Sequence, residues 1–309
     1  MLKIFKDEKG SVMLLLTISL VVLIGLTAIV VDGANLYKTK SKLQDAVDAA
    51  ALAGAHQLTD GASAAETTAN FYLGQNNVDP STEGNSTAEM NNASYGTDII
   101  TVTATRNVSL GLARIFGSTT QNVSAKAVAG IYPLDVGAGV LPIGVLDTDW
   151  VAGKHVDMVG TKFEPGAFGW LDLEGDHGGG AQDIDEWIPN GYPGMVYLGD
   201  DDFAETGKKK ACIEELNKRI LLCTNNCTPD NIEPGCPRLV FIPLIDEWVN
   251  GQSGTVEVVG FAAFLLDDDQ VIDENQPVIG GTFVEEIVAS GIGGSGATNY
   301  GVYGVKMLE

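Results

Sequence analysis

Positive charge is scarce in this chain. The sequence has 18 Lys and Arg residues against 41 Asp and Glu, a net charge of −23. Binding to nucleic acid requires clustered basic side chains that neutralise phosphates, and the sequence has no such patch. The composition therefore excludes nucleic acid as a partner. An acidic balance of this size is typical of a solvated, salt-tolerant surface, with cation binding as the alternative.

The common catalytic and cofactor motifs are also missing. The sequence contains no HExxH pair, no GxSxG elbow and no GxxxxGK[ST] phosphate loop. Its three histidines, His56, His155 and His177, are isolated along the chain and have no Cys at ligand spacing. We therefore predict no enzyme activity, no cofactor and no metal site.

Cysteine is rare and confined to one segment. The four residues are Cys212, Cys223, Cys227 and Cys236. In an oxidising compartment an even, clustered set predicts two disulfides, which would hold together a loop rich in Asn, Pro and Gly. Three pairings are open. A zinc site with four thiolates is the alternative, although the spacing lacks the paired C-x2-C motif.

One long stretch near the N-terminus lacks charge altogether. Residues 10–31 carry no ionisable side chain, while Lys3, Lys6 and Lys9 precede them and Asp32 follows directly. A helix needs about 20 apolar residues to span a bilayer, and positive flanks stay cytoplasmic. The sequence predicts a cytoplasmic basic segment at residues 1–11, a single transmembrane helix at 12–31 and export of the rest. A cleaved signal peptide has a shorter apolar part, so we favour a permanent anchor in the cell membrane.

The helix is predicted to continue outside the membrane through residues 32–58. Small and apolar residues recur there at helical spacing and form one face, and small residues within the span allow close approach of another helix. The predicted helix-packing positions are Gly25, Ala28, Leu43, Val47, Ala50 and Gly54. The sequence leaves open whether this face packs on the chain's own exported domain or on a partner.

The exported part is predicted to contain two regions, which makes the fold class α+β. Residues 59–132 form a small α/β unit, with a short helix at 65–73, an exposed polar loop at 74–96, strands at 99–105 and 123–131, and a helical turn between the strands. Residues 133–309 form a β-rich domain that includes the disulfide loop.

Short apolar runs with turn signals between them define this second region, and a barrel-like domain is one form it could take. The predicted strands are 140–146, 195–198, 239–244, 256–266, 278–284 and 302–307. One helix is predicted at residues 212–222, with its buried side formed by Ile213, Leu216, Ile220 and Leu221.

The N-terminal segment resembles a known family. Residues 31–37, VDGANLY, and residues 42–55, KLQDAVDAAALAGA, are similar to the N-terminus of TadE/TadG-like proteins of Flp (Tad) pilus assembly systems. The resemblance covers about the first fifth of the chain. A weaker similarity to larger TadG-related proteins is carried by LPIGV, FEPGAFGWLDLEG and GFAAFLLDD.

This resemblance implies a membrane-anchored structural or assembly component of a type IV-like pilus. Its partners would be other assembly or pilin-like subunits, met through the N-terminal helix. Leu15 stands where pilin-like substrates of the prepilin peptidase carry Glu, so we expect no cleavage between Gly10 and Ser11. The chain also lacks the D-x-S-x-S motif of a von Willebrand A domain.

A second hypothesis comes from the acidic runs of the β-rich region. Carboxylates packed this closely repel one another unless a cation or solvent intervenes, and calcium prefers six to eight oxygen ligands. The alternative function is therefore a surface binding or adhesion module stabilised by calcium. The runs are Asp183 and Asp185; Asp200, Asp201 and Asp202; and Asp267, Asp268 and Asp269.

Overall fold

A computed structural model describes most of the chain. The described residues are 8–92, 94, 97–117, 119–160, 167–174, 181–205, 210–248, 255–269, 277–288, 292–294 and 296–308, without the side chains of 8–11, 115–116, 181–183 and 202–205. Residues 1–7 of the predicted cytoplasmic segment and His177 lie outside the described residues.

Four α-helices and fourteen strands are present among the described residues. The helices are α1 (Glu8–Ala55), α2 (Ala62–Gln75), α3 (Ala181–Trp187) and α4 (Lys210–Leu221). The first seven strands are β1 (Gly84–Asn92), β2 (Thr97–Ser109), β3 (Thr120–Ala138), β4 (Ile143–Leu146), β5 (His155–Val159), β6 (Phe168–Asp172) and β7 (Met195–Tyr197). The others are β8 (Asp201–Glu205), β9 (Leu239–Ile245), β10 (Thr255–Leu266), β11 (Val278–Val284), β12 (Glu286–Val288), β13 (Ile292–Gly293) and β14 (Val302–Met307). Short 3₁₀ helices occupy Ala113–Phe116 and Asp147–Asp149.

The long N-terminal helix is confirmed. Helix α1 runs through 48 residues without a break at the end of the apolar stretch. The absence of Pro and the abundance of Ala and Leu favour helix throughout. The α+β class is also confirmed, because a helical N-terminal part is followed by a strand-rich remainder.

The chain divides into two units. The first comprises residues 1–89, 99–129 and 307–309, and the second comprises residues 90–98 and 130–306. In the first unit α1 packs against α2. The buried face of α2 is formed by Ala65, Ala69 and Leu73, four residues apart and therefore on one side of the helix.

One of the two sheets has the strand order β1-β2-β3-β14-β12, and β7 and β13 also pair with β3. Strand β1 lies at the edge of this sheet, in a segment that we predicted to be an exposed loop. That prediction was wrong for residues 84–92. Their side chains are polar, yet Ser86 donates a hydrogen bond to the Asn70 side chain at 2.9 Å, and the Ala88 amide donates to the Glu66 carboxylate at 3.0 Å. Side chains of helix α2 thus accept hydrogen bonds from the edge strand.

The second sheet has the strand order β5-β11-β10-β8-β6-β4-β9, and β9 pairs with β10 as well. The five strands from β10 through β8, β6 and β4 to β9 therefore curl until β9 pairs with β10. Strands β11 and β5 extend the sheet from β10 outside this ring. Among the described residues β11 is the one named strand that pairs with β5, and the other edge of β5 makes only an isolated bridge from Val159 to Ala167. A closed barrel has no edge, so the sheet is not a closed barrel, although the pairing of β9 with β10 gives it a barrel-like curl.

Aromatic and aliphatic side chains fill the core of this second unit. The Phe264 and Phe283 rings lie 5.0 Å apart on the paired strands β10 and β11, and the Phe168 ring lies edge-on to Trp170 at 5.6 Å. These strands have nearly continuous apolar sequences because both of their faces are buried.

Helix α4 packs against this core and anchors neighbouring loops. Its Ile213, Leu216 and Ile220 are buried as predicted, but Leu221 is 65% exposed because the helix ends there. On the same helix the Arg219 guanidinium donates to the carbonyls of Pro237 at 2.7 Å, Ile188 at 2.8 Å, Pro189 at 2.9 Å and Leu239 at 3.5 Å. One rigid donor fork thus fixes the segment before β9 to the segment after α3.

Candidate functional site

The apolar half of α1 is exposed. Between residues 12 and 31 every large apolar side chain keeps more than half of its surface accessible, with Met13 at 74% and Leu15 at 70%. Water-soluble proteins rarely leave such a patch uncovered. By length and composition this part of α1 could span a membrane, and it is the one such helix among the described residues.

The few polar side chains in this stretch are satisfied within the helix. Thr17 donates to the Met13 carbonyl at 2.7 Å, and Ser19 and Thr27 donate to the carbonyls four residues earlier, both at 2.8 Å. An unsatisfied hydroxyl group is costly in hydrocarbon. The stretch therefore needs no water along its length, which fits a lipid environment.

Asp32, directly after the apolar stretch, binds backbone rather than solvent. Its carboxylate accepts hydrogen bonds from the amides of Gly111 at 2.8 Å, Leu112 at 3.0 Å and Ala113 at 2.6 Å. The residue is only 7% exposed. Hydrogen bonds from Ala113 first, and from Gly111 and Leu112 further, lower the pKa of Asp32 despite the opposing effect of burial.

These bonds tie α1 to the 3₁₀ helix at Ala113–Phe116 within the first unit, and α1 contacts that helix. A carboxylate is well placed there, since the free amides at the start of a helical turn carry partial positive charge. The sequence singled out Asp32 only as the end of the span. No sequence pattern links Asp32 to Gly111, which lies in a short loop far along the chain, so their contact could not be predicted.

The predicted helix-packing positions are mostly buried within the first unit. Leu43, Val47 and Ala50 are fully buried, and Ala28 is 2% exposed. Gly25 is half-buried. Of the two options that the sequence left open, packing on the chain's own domain therefore accounts for the part of this face beyond the apolar stretch.

Gly54 shows how tightly this face is packed. A Cβ atom at this position would lie 2.6 Å from Ile100 Cδ1, 3.0 Å from the Ala65 carbonyl oxygen and 3.1 Å from Ala69 Cβ. Such distances leave no room for a side chain. Glycine thus lets α1 approach both α2 and β2 at the end of the helix.

The cysteines form a cluster of three, without Cys212. Cys223 Sγ lies 3.9 Å from Cys227 Sγ and 3.7 Å from Cys236 Sγ. These separations are far longer than the roughly 2.05 Å of a disulfide bond, and none of the four cysteines is disulfide-bonded in the structure. Cys212 is instead fully buried on α4. The prediction of two disulfides is therefore not supported by the geometry.

The clustered thiols differ in their electrostatics. Burial raises the pKa of the Cys236 thiol to about 11. Burial also opposes ionisation of Cys223, but hydrogen bonding from Arg238 and from the neighbouring thiols leaves the pKa of Cys223 below its ordinary value.

His155 has partners in space that the sequence did not show. Its Nε2 atom lies 2.8 Å from an Asp267 carboxylate oxygen, and Asp157 lies in the same group. The hydrogen bond to Asp267, and then the charge of Asp157, raise the pKa of His155. His155 is isolated along the chain, but pairing of β5 with β11 and of β11 with β10 brings Asp267 next to it in space. Both partners of this pair are well exposed, so it is a solvated ion pair of small energetic weight.

The described carboxylates of the acidic runs do not come together as one set of cation ligands. The Asp200 carboxylate accepts the Tyr197 amide at 2.7 Å, which is a local turn contact. Among the described carboxylates of these runs only Asp267 belongs to a group of three candidate ligands. The side chains of Asp183 and Asp202 lie outside the described residues. The calcium-stabilised binding module thus has no supporting observation in the part of the chain that the structure describes.

The comparisons with known proteins place a family match on α1. Residues 10–57 match the family model Tad, whose description is putative Flp pilus-assembly TadE/G-like. This confirms the resemblance over that segment, and the larger size of the chain fits the TadG-like type. No curated protein and no solved structure gave a match.

The Asp32 contacts predict a specific loss. Asp32→Asn replaces one acceptor oxygen by an NH₂ group, which cannot accept the amides that point at it, so we expect the first unit to unfold at a lower temperature. Thermal unfolding of the full chain in detergent measures this. Asp45→Asn, at an exposed position of the same helix, is the matched control and should unfold like the wild type.

The same pair of proteins gives the pH dependence. Because folding lowers the pKa of Asp32, its contribution is fully present above the ordinary carboxyl pKa of about 4 and is lost as pH falls through the folded-state value. The difference between wild type and Asp32→Asn should therefore be constant from neutral pH down to about 4 and shrink below that. A difference that grows on acidification would contradict the assignment.

Burial of the packing face predicts what Ala50→Glu does. A carboxylate forced into this fully buried position has no partner, and we expect a loss on the order of 3 kcal/mol or more in the free energy of unfolding. Urea unfolding and protease sensitivity of the full chain measure it. Ala34→Glu makes the same change at an exposed position of α1 and should leave stability nearly unchanged. Equal stability of the two variants would show that the face is not packed as the structure has it.

Proposed function

We propose that this chain, which carries a TadE/G-like segment at residues 10–57, is a membrane-anchored structural component in the assembly of a Flp-type pilus. The observation that carries the proposal is the coincidence of the matched segment with α1. That helix is apolar and exposed in its first half and packed into a folded unit in its second half.

The contacts of α1 support a rigid connection between anchor and folded unit. The helix has no break at its boundary, and Asp32 fixes the 3₁₀ helix to it immediately after the span. Further along, Lys40 donates to the Ser124 carbonyl at 2.6 Å and Gln44 donates to the Lys126 carbonyl at 2.9 Å, so β3 is bound to the same helix. A force or displacement of the anchor is thereby passed directly to the first unit.

The burial pattern also limits where a partner helix can bind. Leu43, Val47 and Ala50 contribute to the protein's own core and are not available to a partner. The helical surface that stays exposed is the apolar span except at Ala28, and Gly25, half-buried there, offers the small residue that close helix association in membranes uses. We therefore assign the contact with other pilus subunits to the span.

Orientation follows from the proposed role. Lysines stand on both sides of the span, at positions 3, 6 and 9 before it and at 38, 40 and 42 after it, so the count of positive charges does not decide the orientation. A pilus component must present its folded part outside the cytoplasm. On this ground the N-terminus is cytoplasmic and the large acidic remainder is extracytoplasmic.

The function is tested in a host that makes Flp pili. We expect deletion of the chain to abolish pili in electron micrographs and the wild-type chain to restore them. Gly25→Leu, which fills the small side of the span, should lower pilus number several-fold at an unchanged amount of membrane-bound protein. Val22→Leu, at an exposed position of the same span, should leave pili normal.

The two arms of this experiment separate two claims. Normal pili in the deletion strain would refute a role in assembly. Normal pili with Gly25→Leu, combined with their loss in the deletion strain, would refute only the contact through the span.

Orientation is tested by fusing alkaline phosphatase to the C-terminus. The enzyme is active only outside the cytoplasm, so we expect an active fusion. The control changes Lys3, Lys6 and Lys9 to Glu, so that the remaining lysines near the span all follow it. It should lower the activity because positive flanks stay cytoplasmic. An inactive fusion on the unaltered chain would place the folded part in the cytoplasm.

A further inference from the structure

We propose that Cys223, Cys227 and Cys236 bind a single zinc ion as thiolates. The three sulfur atoms lie within 4.8 Å of one another. A tetrahedral zinc ion with Zn–S bonds of about 2.3 Å separates its sulfur ligands by about 3.8 Å. Two of the three separations in the cluster, 3.7 and 3.9 Å, bracket this value.

The backbone holds the three side chains in place by local turns. The Cys223 amide donates to the Ile220 carbonyl at 3.1 Å at the end of α4, and the Cys236 amide donates to the Glu233 carbonyl at 3.0 Å just before β9. Between them the Cys227 amide donates to the Asn225 carbonyl at 2.8 Å. Three separate turns thus deliver their thiols to one point, in a segment where residues 222–238 contain no helix or named strand.

The charge around the cluster fits a zinc thiolate centre. Three thiolates and one Zn²⁺ carry a net charge of −1. The buried Arg238 guanidinium lies beside the cluster, and its two Nη atoms donate to the carbonyls of Cys227 and Leu266. The charge of Asp268 acts on Arg238, but no carboxylate among the described residues hydrogen-bonds to the guanidinium. A buried cation normally has a counter-charge, and the centre supplies one.

The cluster also leaves room for a fourth ligand. A cavity of about 230 Å³ is lined by all three cysteines together with Thr224, Asn225 and neighbouring residues. Cys212 does not belong to the group, so the protein supplies three ligands and a water molecule can complete the tetrahedron. Soft thiolate ligands select zinc over calcium or magnesium.

The role of the ion is to cross-link the end of α4, the following loop and the start of β9. Metal binding of this kind contributes directly to folding free energy, because the unfolded chain offers no preformed site. The site is distinct from the span and from the proposed function, and neither depends on the other.

The test measures zinc on the full-length chain, purified in detergent without chelator. We expect one zinc ion per chain by elemental mass spectrometry after exhaustive dialysis. Replacement of zinc by cobalt should give the near-ultraviolet thiolate-to-cobalt absorption band of a site with several cysteines. Loss of a neighbouring side chain around a metal costs roughly 10- to 100-fold in affinity, so we expect Cys223→Ser and Cys236→Ser, which each remove a ligand, to weaken zinc binding at least about 100-fold.

The control variant is Cys212→Ala, which removes the one cysteine outside the cluster and should keep both the zinc and the cobalt spectrum. The spectrum of the unaltered chain is informative even if a ligand variant fails to fold. A purified chain that contains no zinc overturns the proposal. A disulfide between two of the three clustered cysteines, seen as a loss of the thiol hydrogens from the mass of the chain, overturns it too. Unchanged zinc binding by Cys223→Ser, or copper instead of zinc in the unaltered chain, overturns it as well.

Discussion

A single helix in this protein has an exposed apolar half followed by a half that packs into a folded unit. Over residues 12–31 the surroundings of α1 must accept apolar side chains on every face, and beyond Asp32 they must accept a buried stripe on one face and water on the others. An unbroken helix lets each part meet its own requirement, since all backbone groups bond internally in either medium. The sequence of α1 changes from uncharged and apolar to partly charged at Asp32, where its surroundings also change. The second part of the helix can therefore pack into the first unit.

The transition at the boundary is made by one carboxylate. Asp32 would be expensive inside the bilayer and of little structural use in free water. At the boundary its charge is matched by three backbone amides of a loop almost eighty residues away in sequence. Charge-assisted hydrogen bonds of this kind are among the stronger polar contacts available to a protein. They fix the rotation of α1 about its own axis relative to the 3₁₀ helix. This rotation decides which face of α1 is turned toward α2.

Much of this architecture could be predicted from the sequence because its signals are strong and local. The span, the helical extension and the strands β9, β10, β11 and β14 all stand out as apolar runs of the right length. Strand β1 could not be recognised, since its Ser86 and Ala88 are held by the side chains of Asn70 and Glu66 and not by apolar burial. The pairing of His155 with Asp267 was equally hidden, because it depends on a strand register that no local pattern encodes. The failure for Leu221 has a simpler reason. It continues the helical period of Leu216 and Ile220, but the helix ends before it can reach the core.

The structure also changes which part of the candidate interface can meet a partner. From sequence, one stripe from Gly25 to Gly54 offered a continuous packing surface for another subunit. In the fold, the part from Leu43 onward is consumed by the protein's own core, and Gly54 has no space for even a methyl group. The helical surface left for a partner that bundles with this helix is therefore the apolar span. In a membrane, association at such a span is driven by close packing and not by the hydrophobic effect. Contacts of that kind are selective for shape at small residues such as Gly25.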